Sequence, residues 1–87
     1  MLQEFVGQVV VVDLGSEYVC LGTLRSVDEH FLELRNADLH DLRDTQTSRE
    51  NYVAASSATG IKRNRRRVFV VRGDIVAVAR LADVVEH

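Results

Sequence analysis

Apolar and polar residues alternate over most of the chain, and the alternation has the period of β-strands. Val9-Val10-Val11-Val12 is a β-branched run. It predicts a first strand over Gln8–Leu14, buried on both faces or nearly so. Asp13-Leu14-Gly15-Ser16 reads as a hairpin connection, with Gly15 suited to positive φ. In Glu17–Val27, Tyr18, Cys20, Gly22 and Leu24 alternate with Val19, Leu21 and Thr23. Gly22 in mid-strand predicts a bend or bulge there. Asp28-Glu29 makes the next turn. A third strand follows over His30–Leu39, with Phe31, Glu33, Arg35 and Ala37 on one side and Leu32, Leu34, Asn36 and Asp38 on the other; Leu32 and Leu34 are expected to point inward. The runs Val68–Val71 and Ile75–Leu81 give two last strands. Between them lies Arg72-Gly73-Asp74, read as a tight hairpin with its two charges at the tip. Ahead of the first strand, Leu2, Phe5 and Val6 share one face of a short helical turn that Gly7 ends.

Residues 40–67 break the pattern, being polar, charged and poor in large apolar groups. Thr47-Ser48-Arg49-Glu50 fits a capping box, Val53, Ala54, Ala55 and Ala58 follow, and Gly60 can terminate a helix. The excursion is therefore either a short helix at about 48–58 or a loop. The tail Ala82–His87 is expected to pack loosely. Five short strands in a meander, with no long helix between them, predict an all-β fold. The curvature at Gly22 makes it a small, strongly bent five-stranded barrel, a single domain over residues 1–87, with a short N-terminal helix.

Composition narrows the function. A chain of 87 residues buries only roughly 60–65% of its unfolded surface, so association with other subunits would add support. The single cysteine, Cys20, excludes an intrachain disulfide and reads as a small buried apolar residue. His30, His40 and His87 are scattered, so no metal site and no cofactor is expected. No nucleophile–base pair, paired carboxylates or phosphate loop is visible, so an enzyme is not expected. No apolar run approaches the ~20 residues that span a bilayer, and no export signal opens the chain; the expected location is cytoplasmic, with no membrane partner. Net charge is −2, yet five of the eleven basic residues (Lys62, Arg63, Arg65, Arg66 and Arg67) fall within six positions, a local stripe suited to phosphate contact. No aromatic interrupts that cluster, so by sequence it offers charge and not stacking.

Two separated segments carry a resemblance to the Sm and Sm-like (LSm) family. The first is Leu21-Gly22-Thr23-Leu24-Arg25-Ser26-Val27-Asp28-Glu29-His30-Phe31-Leu32-Glu33-Leu34, with the family's strand glycine at Gly22, leucine at Leu24, aspartate at Asp28 and hydrophobic residue at Phe31. The second is Val71-Arg72-Gly73-Asp74-Ile75-Val76, the hydrophobic-Arg-Gly pattern. Upstream, Gly7 through Gly15 also resembles the family's first strand and hairpin, and the resemblance as a whole covers roughly residues 2–39 and 68–81. No Tyr-Lys-His triplet precedes the last strand, so the chain looks nearer the archaeal and eukaryotic type than the Hfq branch.

The resemblance implies a homo-oligomeric ring of about five to eight subunits. In such rings the strand before the Arg-Gly turn pairs with the strand after it in the neighbour, which here makes Val68, Phe69, Val70, Val71, Ile75, Val76 and Val78 the subunit interface. It implies single-stranded RNA, often U-rich, at the inner rim, with His30 stacking on a base, Arg72 contacting it from the other side, and Asp28, Gly73 and Asp74 shaping the two turns. A histidine ring and a guanidinium plane are both platforms for an unstacked base. One position departs: where the family usually has a base-reading asparagine this chain has Leu32, which has no donor or acceptor. The rival reading is therefore a structural or protein-interaction ring of the same fold that has lost specific RNA recognition.

Overall fold

A computed structural model describes residues 1–44 and 48–85. Five strands, β1 (Val9–Leu14), β2 (Tyr18–Val27), β3 (Phe31–Asp41), β4 (Arg65–Val71) and β5 (Ile75–Arg80), form one antiparallel sheet in the order β4-β3-β2-β1-β5. Its register shifts twice between β2 and β3, at Leu21/Thr23 and Leu24/Ser26, and once between β1 and β5, at Asp13/Leu14. Each shift bends the sheet, and together they curl it into an open barrel. Gly22 sits at the first shift because nothing larger fits. A Cβ there would lie 2.8 Å from the Ala37 Cβ and 3.1 Å from the Arg35 carbonyl oxygen. A 3-10 turn at Leu2–Phe5 precedes the barrel, and Leu2 and Phe5 pack against its core.

The Arg72-Gly73-Asp74 segment is not the tip of a hairpin. It is one 3-10 turn joining strands at opposite ends of the sheet: β4 pairs with β3, and β5 crosses over to pair with β1. Neither Gly73 nor Gly15 has a positive φ. Gly15 is instead close-packed: a Cβ there would lie 3.0 Å from Asp74 Oδ1, so that carboxylate would have to shift.

Two apolar layers explain the patterning. Val10, Val12, Leu14, Cys20, Leu24, Leu32, Leu34, Ala37 and Val70 fill the barrel. Val11, Val19 and Leu21 point to the other face of the sheet, where Val53 covers them together with the half-buried Tyr52, Leu81 and Val84. The run in β1 is thus buried on both faces except at Val9. In β3 the phase slips at Asn36, whose φ of 50° is left-handed. Leu32 and Leu34 face inward as expected, and the slip brings Ala37 inward as well, against the simple alternation.

The excursion is shorter than the composition implied. β3 runs on to Asp41 and β4 begins at Arg65, because strand pairing continues through polar residues. Within it, α1 (Arg49–Thr59) is a helix and not a loop. Its cap is the Ser48 hydroxyl, which accepts from the Asn51 amide at 3.2 Å, and Gly60 closes it at φ 95°. The expected Thr47 cap lies outside the described residues. Tyr52 stacks on His40 with ring centres 4.0 Å apart, and its hydroxyl donates to the buried Asp38 carboxylate. Burial first, and that carboxylate second, push the Tyr52 hydroxyl above its ordinary value. The tail is not loose as far as it is described: Leu81–Asp83 forms a 3-10 turn, and Leu81 and Val84 pack under α1. Glu86 and His87 lie outside the described residues.

Candidate nucleic-acid interface

The β2–β3 turn is built by Asp28. Its Oδ1 accepts from the amides of His30 and Phe31, both at 2.8 Å, which closes the turn on its own side chain. Those two amides, chiefly, hold the Asp28 carboxyl below its ordinary value. The turn projects His30 into solvent. Arg72 then arrives from the far end of the sequence. Its amide donates to the His30 carbonyl at 2.8 Å, and its guanidinium donates to the Asp28 carbonyl at 2.7 Å. The two sequence segments therefore meet through these bonds to backbone carbonyls, with His30 and Arg72 both exposed.

Asp74 does not pair with Arg72 among the described ion pairs. It accepts from the Ser16 hydroxyl at 2.7 Å and from the Ser16 amide at 3.2 Å, while its carbonyl takes the Gly15 amide at 2.7 Å. The Arg72–Asp74 turn is so pinned at both ends, to the β2–β3 turn through Arg72 and to the β1–β2 turn through Asp74. Gly73 is open, with no atom near enough to obstruct a Cβ. Leu32 does not reach this surface. Its side chain is wholly within the barrel, so the position given to a base-reading asparagine is filled here by packing.

The basic cluster is elsewhere. Arg65, Arg66 and Arg67 are the first residues of β4, and Arg72 follows the last, so the two sets lie roughly 20 Å apart along the strand. Lys62 and Arg63 are exposed just ahead of the strand. Arg67 is committed within the chain: its Nε donates to Glu33 Oε2 at 2.7 Å, and its guanidinium lies 4.8 Å from the centre of the Phe69 ring. No aromatic lies within the cluster, as expected, but Phe69 just beyond it gives Arg67 a ring. Extending the period-two pattern back from Val68 would have put Arg65, Arg67 and Phe69 on one face.

The residues expected at a subunit boundary divide by environment. Val70 is inside the barrel. Val68, Ile75 and Val78 pack half-buried against the core. Phe69, Val71 and Val76 are 52%, 55% and 70% exposed, on the two strands that end the sheet. Beside β4 a groove of about 240 Å³ opens between Leu14, Tyr18, Leu39, Val68 and Val70.

This architecture is a strongly bent five-stranded barrel whose two end strands, β4 and β5, each have a neighbour on one side only. Among solved structures the chain resembles an Sm-like protein, AF-Sm2, from Archaeoglobus fulgidus, with a TM-score of 0.61 and 20% sequence identity over 92% of this chain and 88% of that one. The chain has the Sm-like fold. No protein-family model matches the sequence, and no curated protein matches it significantly. No helix among the described residues is long and apolar enough to cross a membrane.

Proposed function

We propose that this chain assembles into a homo-oligomeric ring and binds single-stranded RNA at the ring's inner rim through His30 and Arg72. One observation carries the reading: the Arg72 amide and guanidinium are bonded to the His30 and Asp28 carbonyls, so a potential stacking ring and a cation are held together on a rigid double turn. The outer edges of β4 and β5 support assembly, since an antiparallel sheet that ends in apolar strands with a free edge gains by adding a neighbour's strand. In this reading the protein acts by binding, not catalysis. It works in the cytoplasm and stands apart from the Hfq branch.

Anisotropy of labelled oligo(U) at low salt tests it. Binding is expected, weakening about five- to a hundred-fold on Arg72→Ala. No binding to the intact assembly removes the RNA half of the proposal. The second reading, a ring that serves structure or protein contact, is favoured by one observation: Leu32 is buried, leaving no amide side chain there to read a base edge. It predicts the same assembly mass with no RNA affinity.

A further inference from the structure

The outward face of β3 and β4 carries a track that neither turn accounts for. Glu33, 7% exposed, holds two cations on one oxygen: its Oε2 accepts from Arg35 Nε at 3.2 Å and from Arg67 Nε at 2.7 Å. Ser26 Oγ donates to its other oxygen at 3.1 Å. Burial works to raise this carboxyl, but the Ser26 and arginine hydrogen bonds and the Arg67 charge outweigh it and hold the group below its ordinary value, ionised. The two arginine side chains remain 47% and 55% exposed. Both are anchored at Nε while half exposed, and two guanidinium groups on one carboxylate leave the cluster with a net positive charge.

The same face continues in rings. Arg67 lies over Phe69, Phe69 meets Phe31 edge to face at 6.3 Å, and Phe31 meets His30 edge to face at 6.5 Å. Phe31 and Phe69 are 41% and 52% exposed, an unusual state for two adjacent phenylalanines. Cations preset for phosphate beside exposed rings preset for bases are the two components of a sequence-tolerant single-strand site.

We propose that this outer face is a second binding surface for single-stranded nucleic acid, with the Arg35–Arg67 pair on a phosphate and Phe69 and Phe31 under bases, continuous with the rim at His30. Strand pairing along the β4 edge lies in the plane of the sheet, so it leaves this face open. The inference shares with the proposed function a single-stranded ligand, but it does not require the rim to bind.

Labelled oligo(U) of about six and about twenty nucleotides, titrated onto the whole assembled chain, separates the two surfaces. For the long probe, Arg35→Gln/Arg67→Gln is expected to weaken binding about tenfold and to reduce the salt dependence by about one counterion. Phe69→Leu should weaken it at least about fivefold, and the single variant Arg35→Gln, which leaves Glu33 its Arg67 partner, should show part of the loss. The short probe should be held within about twofold by these variants and weakened about five- to a hundred-fold by Arg72→Ala. If only the long probe binds and it still depends on Arg35 and Arg67, the outer face stands while the rim reading falls. Long-probe binding unchanged in the arginine variants overturns the inference. So does a Phe69→Leu protein of reduced assembly mass and unchanged affinity per subunit, because that places Phe69 in a contact between copies.

Discussion

At the scale of the residue, close approach decides more than conformational preference. Gly22 is needed because β2 and β3 press together where the sheet bends, so Gly22→Ala should cost about 1–3 kcal/mol in urea denaturation, with strain and not lost burial as the cause. Cys20 is wholly buried, and burial pushes its thiol from 9.0 to about 12. Thiol reagents should therefore modify the native protein at pH 8 only at its unfolding rate. The sign of the linked stability follows. The folded thiol keeps its proton where the unfolded one loses it, so this group's contribution is intact below pH 9.0 and declines as pH rises toward about 12. A thermal-melt series over that range, compared with Cys20→Ala, checks it. Gly22, Asp28 and buried Cys20 were legible in the sequence, because each is a residue whose chemistry fits few environments. Leu32 was legible as an inward core residue from its alternation with Glu33, but not as a residue wholly removed from the rim. A matching motif assigns a position in sequence, and only packing assigns the direction of a side chain.

At the scale of the element, the strands were readable and the excursion was not. Hydrophobic alternation located five strands to within a few residues, yet it missed His40 and Asp41 at the end of β3 and Arg65–Arg67 at the start of β4, where pairing continues through polar residues. It also misjudged the Arg72–Asp74 turn, because a glycine between two β-branched runs is the ordinary mark of a hairpin. The local signal cannot tell that β5 crosses to β1. Helix α1 hid for a different reason: it buries only Val53 and Ser56, and a weakly amphipathic helix of this length is indistinguishable from a loop until a surface is found for it. That surface is the outer side of Val11, Val19 and Leu21. Two variants test the packing. Ser48→Ala should cost about 1 kcal/mol through loss of the cap, and Val53→Ala about 1–3 kcal/mol through loss of burial. Both should be seen in chemical denaturation, and neither should alter the Asp28–Arg72 contacts, which lie on other elements.

At the scale of the whole molecule, the sheet's two free edges are its most consequential property. Val76 is 70% exposed on the last strand, so Val76→Lys should leave the circular dichroism spectrum unchanged while shifting the mass measured by light scattering toward the monomer. A protein that is monomeric before substitution would refute the assembly outright. The fold class was legible from strand count and curvature, whereas the bonds of Arg72 to the His30 and Asp28 carbonyls were not, since they depend on residues brought together by β3–β4 pairing. The pairing of Val10 with Arg80 and of Val12 with Val78 carries a further consequence, for the order of events during synthesis. The first strand made must wait for the last before its outer hydrogen-bonding row is satisfied. A nascent chain therefore presents an apolar β1 edge until β5 has been made, and closing that edge is a long-range step, inherently slow and exposed to mispairing with other chains.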